Sequence, residues 1–363
     1  MKAVFGVIFL AVFQIVATAA ELSSSSLFLR GANFGNYLEA PPGQDWGAKY
    51  TEKDFINVER EGFDHVRLPI AWSHYAGPGP EFRLSAEIFG KVDFLVTNAM
   101  AHHLAVIVNI HHFDDFTSDP AGQKEKLYAL WRQIAAHYQA FPKSVAFELL
   151  NEPKDAATTV VLNPIYAEVL RQIRLSNPDR AIFVGPGRWN QASELANLKL
   201  PEEDRNLIVT VHCYEPFFFT HQGASWTSGD VKMLAGLKFP GPPDKPFETN
   251  ASMTLSAGAR DWLRRYNTLP SDRNPSGPSA FRKNIDLARA WGEKNRRPMH
   301  MGEFGAYEKA DPVSRANFYR EFRRALDEAK MGWCVWDWKA GFKYWDDKAG
   351  APAPGMREAI WAR

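Results

Sequence analysis

Two glutamates hold the clearest chemical potential in this sequence. Glu152 closes the run Ser144-Val145-Ala146-Phe147-Glu148-Leu149-Leu150-Asn151-Glu152-Pro153, and Glu303 closes Pro298-Met299-His300-Met301-Gly302-Glu303. Each follows an apolar stretch of strand length, so each carboxyl group is placed at a strand end. Pro153 lacks an N–H and fixes φ, so the first of these strands cannot easily run past it. Strict alternation would send Asn151 and Glu152 to opposite faces, and a turn forced at this point would let both face one ligand. Two carboxyl groups facing one another suit glycoside hydrolysis, which needs a proton donor and a carboxylate nucleophile across one anomeric carbon.

Other polar and aromatic groups fall at or near the ends of predicted strands: Arg67, His111, His112, His212, Tyr214 and Trp336. Singly, each has a packing explanation. Arg67 could pair with a core carboxylate such as Glu148, and His212 could be a satisfied buried histidine. Together they are hard to explain as packing, because buried ionisable groups are costly unless paired. Period two turns His112 away from the side that His111 faces, which makes it the weaker candidate. Trp189, after the fifth strand, and Trp226, in the segment after the sixth, are candidate sugar-stacking platforms, with loop packing as the alternative.

The elements that must position these groups alternate along the chain. Strands are expected at 27–31, 65–70, 104–112, 144–152, 181–185, 207–214, 298–303 and 332–338, with residues 32–36 as the loop after the first. Helices are expected at 54–61, 84–103, 124–140, 159–175, 281–295, 316–329 and 357–361. The run from Leu104 to His112 is continuously apolar until its end, as in a parallel strand covered on both faces. Eight strands alternating with helices predict right-handed βαβ units closing into a (β/α)8 barrel of one domain. In such a barrel the active site lies at the carboxyl ends of the strands. Strands four and seven can then bring Glu152 and Glu303 to the separation of ~5–5.5 Å that retains anomeric configuration. Between about 215 and 278 the alternation lapses into a proline- and glycine-rich insertion after strand six, with a short helix around Trp262-Leu263. An insertion this long at a strand end is more often functional than idle. An open doubly wound sheet is the alternative, but no Gly-rich phosphate fingerprint follows any strand.

Composition narrows the function classes. The chain has 363 residues, 45% apolar and 23% charged, with a formal net charge of +1. A balance this even offers no basic field for nucleic acid. Lys2 precedes an apolar run from Ala3 to Val16, and Ala17-Thr18-Ala19-Ala20 supplies small residues at a cleavage point. Residues 1–20 therefore read as a signal peptide, with residues 21–363 as the catalytic domain, exported to the periplasm or medium. No other segment is long and apolar enough to span a bilayer. Cys213 and Cys334 are the two cysteines. Each is expected within a strand, on strands that are not neighbours, so both are expected as free thiols.

Arg67 in Val66-Arg67-Leu68-Pro69, His111, the triplet Asn151-Glu152-Pro153, His212-x-Tyr214, Gly302-Glu303-Phe304-Gly305 and Trp336 resemble, in order, family 5 of the retaining glycoside hydrolases, the cellulase-type (β/α)8 enzymes. The likeness runs from about Leu27 to Trp338. It implies Glu152 as general acid/base and Glu303 as nucleophile, with Asn151 bonding the sugar 2-hydroxyl and Trp336 forming a stacking floor. Under that reading Arg67 and Tyr214 favour the ionised form of Glu303, while Glu152 holds a raised pKa. His111 and His212 supply hydrogen bonds to sugar and carboxylates.

The expected activity is endo-β-1,4-glucan hydrolysis by a monomer that needs no cofactor or metal, acting on a polysaccharide or oligosaccharide. Mannanase, β-1,3-glucanase and exo-glucosidase activities are the alternatives within the family. A metal-dependent hydrolase drawing on His111, His112, His212, Asp114 and Asp115 is a rival, weakened by the lack of a ligand motif such as His-Glu-x-x-His. A noncatalytic carbohydrate binder is another, and it has no use for a matched acid and nucleophile.

Overall fold

The computed structural model of the chain describes residues 24–227, 229–249 and 253–362. The proposed leader, residues 1–20, lies outside the described residues. Eight parallel strands close into a barrel in sequence order, each bonded to the next and the last to the first. They are β1 (Arg30–Asn33), β2 (His65–Ile70), β3 (Ala105–Ile110), β4 (Val145–Glu148), β5 (Ile182–Val184), β6 (Leu207–His212), β7 (Met299–Phe304) and β8 (Gly332–Val335). Every residue of β2 through β8 is buried, since helices cover the outside and side chains fill the inside.

The first strand starts three residues later than expected. Leu27 and Leu29 are exposed, while Phe28 turns inward and plugs the amino-terminal end of the barrel. Asn33 is consequently the last residue of β1 rather than part of a loop. Two helices begin four residues before their expected starts, Pro120–His137 and Pro312–Glu328. Both open with Asp-Pro: Asp119 accepts from the Gly122 N–H at 2.9 Å and Asp311 from the Ser314 N–H at 3.1 Å. The aspartate caps the helix while proline, whose missing N–H would be unpaired anyway, occupies its first position. Apolar periodicity does not register such a start.

The barrel interior is layered. Phe28, Ala105, Ile107, Ala146, Ala181, Phe183 and Ile208 form an apolar floor. Above it the inward positions turn polar, with Asn33, Arg67, Asn109 and Glu148 all buried. The larger core lies outside the barrel, between strands and helices.

Residues 215–278 are not the open loop that their prolines imply. They contain the helices Phe217–Thr220, Asp230–Met233 and Ala257–Thr268. Phe239 packs against Phe281 and Phe318 with ring centroids 6.3 and 5.5 Å apart. Tyr266 is fully buried and its hydroxyl accepts from the Lys238 N–H at 2.7 Å. The later part of the insertion is therefore pinned against the outer helices, while residues of its first dozen, Phe217, His221 and Trp226 among them, reach the rim. Both cysteines are buried free thiols. Cys334 lies in β8, whereas Cys213 follows β6 immediately instead of lying within it.

Candidate active site

Arg67 is the hub of the carboxyl-terminal rim. Its guanidinium has five N–H donors, and five bonds use them. Nε and Nη2 grip Glu148 at 2.6 and 2.8 Å, and Nη1 donates to Glu303 Oε1 at 2.8 Å and to Asn33 Oδ1 at 2.7 Å. Nη2 also donates to Asn151 Oδ1 at 2.7 Å. The packing and functional readings of Arg67 are thus both realised: the pair with Glu148 holds the guanidinium in place while its other edge faces the site. Asn33 in turn donates to the carbonyls of Gly302 and Val335 at 3.0 and 3.2 Å.

Glu303 reaches the site through a break in the strand pattern. His300 faces inward on β7, level with Thr210 of β6, and alternation would send residue 303 outward. The register slips instead, so His212 pairs with Glu303, and a matching irregularity separates Met301 from Phe304 against β8. A bulge of this kind re-aims a side chain, and here it turns Glu303 into the barrel mouth. There Tyr214 donates its hydroxyl to Glu303 Oε2 at 2.8 Å. Burial pushes the Glu303 pKa up, while His212, Arg67 and the Tyr214 hydroxyl oppose that rise.

Glu152 arrives by a different route. β4 ends at Glu148, so Asn151 and Glu152 belong to the turn beyond it, and Glu152 has φ 43°, in the left-handed region. That conformation is uncommon for a residue with a Cβ, and it lets both side chains face the cleft. Burial pushes the Glu152 pKa up to about 7, against the pull of Arg67 and Lys154. His212 Nδ1 lies 2.8 Å from Glu152 Oε1, and His212 Nε2 lies 3.4 Å from Asn190 Nδ2. The Nδ1 contact ties the ring to Glu152, and an imidazole this deeply buried is held neutral. Its pKa, lowered to about 4 by burial, agrees. One ligand atom from each of Glu152, His212 and Glu303 lies within 4.8 Å of the others.

Glu152, Tyr214 and His221 belong to both of two adjoining cavities, of about 540 and 550 Å³. The first is walled by Trp189, Phe217 and His221 beside His212. The second holds His111, Trp336, Trp226, Tyr307 and Glu303. Together they make a cleft running to either side of the carboxyl pair. His111 Nδ1 is fixed by Asn109 Oδ1 at 2.9 Å, and its ring is parallel to Trp336 at 5.9 Å. Trp189, whose backbone N–H donates to the Pro153 carbonyl at 3.1 Å, is half exposed. Trp226 is also half exposed and stands edge-on to Tyr307 at 4.7 Å. Both stand in the cleft wall, as stacking platforms would.

His112 departs from expectation. β3 ends at Ile110 and His112 has φ 48°, so strand alternation no longer governs it, and it lines the cleft beside Trp46. Asp114 points to Lys154 at 3.4 Å, so the His-Asp set of a metal hydrolase does not converge. Sequence reasoning missed Asn33, Glu39, Trp46, Tyr307 and Asp337. The same strand-end rule, applied to a first strand ending at residue 33, finds Asn33. Nothing local marks Glu39 or Tyr307 as cleft residues.

Two carboxyl groups across the rim of a parallel barrel, in an aromatic cleft, define the class of barrel glycosidases. The cellulase profile, glycosyl hydrolase family 5, matches residues 27–341, and the chain belongs to that family. Endoglucanase C of Acetivibrio thermocellus is 26% identical over 325 residues, covering 86% of this chain and 91% of that protein. Endoglucanase H of the same organism is 26% identical over 309 residues, and the match spans 29% of its length. Among solved structures, Thermotoga maritima Cel5A with cellobiose superposes with a TM-score of 0.80 at 33% identity, covering 93% of this chain and 98% of that one. The cellulose synthase subunit Z of Clostridioides difficile gives 0.78 at 30% identity, covering 92% and 99%.

Proposed function

We propose that this protein is an exported, monomeric, retaining endo-β-1,4-glucanase. The observation that carries the mechanism is the approach of Glu152 and Glu303 oxygens to within 4.8 Å. That separation suits a covalent glycosyl-enzyme, whereas inversion needs roughly 6.5–9.5 Å to seat a water between the carboxyls. Glu303 attacks the anomeric carbon as Glu152 gives its proton to the departing glycosidic oxygen. Loss of the Glu303 negative charge then lowers the pKa of Glu152, which takes a proton from water for the second displacement. Asn151, its Oδ1 held by Arg67, has its amide free to donate to the 2-hydroxyl of the sugar. Trp336 and His111 present flat faces to the ring being cleaved.

Endo action is supported by a cleft that continues past the carboxyl pair in both directions, so a chain can lie across it. The β-1,4-glucan reading draws on the relatives described as endoglucanases. Mannan is the second reading, because Thermotoga maritima Cel5A is also known in complex with mannotriose. The test is hydrolysis of carboxymethyl cellulose, mixed-linkage glucan, laminarin and mannan by wild type and by Glu303→Gln. The variant should lose at least about a thousandfold in kcat. NMR of the first products should show retained β configuration, and EDTA should leave the rate unchanged. An α product would end the retaining mechanism, and a fully active variant would end the assignment of the nucleophile. For export, the amino terminus of the secreted protein should lie near residue 21.

A further inference from the structure

One layer beneath the active site, the barrel interior holds a group that the reaction does not use: His65 of β2, His300 of β7 and Cys334 of β8. All three are almost completely buried, and one ligand atom from each lies within 4.8 Å of the others. Cys334 Sγ is 3.0 Å from His65 Nε2. Both ring nitrogens of His300 lack a hydrogen-bond partner among the described residues, although a buried imidazole ordinarily has at least one. We propose that these three side chains form a structural site for a thiophilic divalent ion, of which zinc is the best fit.

The donor set is two imidazoles and a thiolate, the chemistry that zinc takes. Tetrahedral zinc places such atoms roughly 3.3–3.8 Å apart, so small side-chain rotations suffice to close the set. His65 is already oriented for it. Its Nδ1 lies 2.5 Å from Asp64 Oδ1, and Asp64 is held by the N–H groups of Leu29 and Arg30 at 3.1 and 2.8 Å. This is the carboxylate–histidine arrangement that fixes the tautomer of a metal ligand and directs the Nε2 lone pair at the ion. The space is kept by Gly31, where an added Cβ would meet His65 Nε2 at 2.3 Å and Cys334 Sγ at 2.5 Å.

Charge also balances. Zinc displaces the thiol proton of Cys334 to solvent, and Asp64 supplies a second negative charge. The nearby Arg67 is already neutralised by Glu148 and Glu303. Thr210, level with His300 on β6, has a buried hydroxyl that also lacks a partner among the described residues. An ion here would tie together the three strands that deliver Arg67, Glu303 and Trp336.

The site is sealed by Phe28 and Phe183, whose rings lie 5.4 and 5.1 Å from those of His65 and His300. Loading therefore requires refolding. The full chain is unfolded, refolded with zinc or cobalt, dialysed, and assayed by mass spectrometry for metal and by absorption for the thiolate-to-cobalt charge-transfer band. Wild type and Cys213→Ser should each hold one ion per chain and show the band in the cobalt form. Cys334→Ser and His300→Gln should lose the ion, and Asp64→Asn should bind about 10–100-fold more weakly. If either variant fails to fold, the cobalt spectrum of the wild type decides alone. Metal below roughly a tenth of an equivalent in refolded wild type overturns the proposal. A bound ion with no thiolate band also overturns it, by placing the metal elsewhere, such as at Glu152, His212 and Glu303.

Discussion

Replacing Arg67 with lysine keeps the positive charge and removes the fork. An ammonium has three donors where the guanidinium had five, so at least two of the bonds to Glu148, Glu303, Asn33 and Asn151 must be lost. Hydrogen bonds to charged groups contribute about 1.5–3 kcal/mol each, so the loss should reach about 3 kcal/mol. Against a total stability of ~5–15 kcal/mol, that is a large fraction. Urea unfolding followed by tryptophan fluorescence should show a lower midpoint with an unchanged slope. The same substitution should mark the pH profile of kcat/KM. Arg67 restrains the upward shift of Glu303, and the ionised carboxylate is the attacking form. With the restraint weakened the Glu303 pKa rises, protonation sets in at higher pH, and the acid limb moves up. A loss under ~1 kcal/mol together with an unmoved acid limb would refute the hub role of Arg67.

Wild type should lose activity above about pH 7 as Glu152, whose pKa burial raises to about 7, gives up its proton, and Glu152→Gln should abolish that basic limb. The variant's kcat/KM on cello-oligosaccharides, which reports the first displacement, should fall by about 10²–10⁴, with far less effect on an aryl glycoside whose leaving group needs no proton; equal losses of kcat/KM on both substrates would contradict the acid role. Trp226→Ala should raise KM on oligosaccharides about fivefold, from roughly 1 kcal/mol of lost stacking, and leave kcat unchanged. An unchanged KM for every chain length would remove Trp226 from the binding surface. Stability should vary little between about pH 5 and about pH 6.5, where two sets of groups oppose each other. Glu39, Glu152 and Asp337, raised to about 7 by burial, and Glu303, raised by the same cause, bind more protons folded than unfolded and weaken the fold as pH rises. His111, His212, His221 and His300, all lowered by burial, bind more protons unfolded and strengthen it. Glu39→Gln removes one member of the first set, so melting temperature should climb with pH in that window. A flat variant curve would contradict the buried, protonated state of Glu39.

Much of this molecule is legible along the chain. The β2 strand begins and ends where its apolar run and flanking breakers put it, and the apolar run before Glu152 marks β4, although β4 ends at Glu148, well before Pro153. Those are local rules, and they delivered Glu152 and Glu303 to strand ends without reference to any partner. Local rules also failed locally. The Asp-Pro helix starts were missed because capping, not apolar spacing, sets them, and the register break that turns Glu303 inward leaves no mark in residues 298–303.

What the amino-acid sequence determined by itself is the inventory of the rim: which residue types stand at the mouths of which strands, and hence the class of reaction. Tertiary structure decided how they act on each other. Arg67 and Glu303 are 236 positions apart, and β1, β2, β7 and β8 must close on one another before a guanidinium can serve both Glu148 and Glu303. The half-buried Glu152 owes its raised pKa to surroundings assembled from β4, β6 and β7, and Trp226 owes its place in the cleft to Tyr307, on a different loop. Spacing along a chain sets the direction of a side chain relative to its own strand. Register between distant strands sets what that side chain meets.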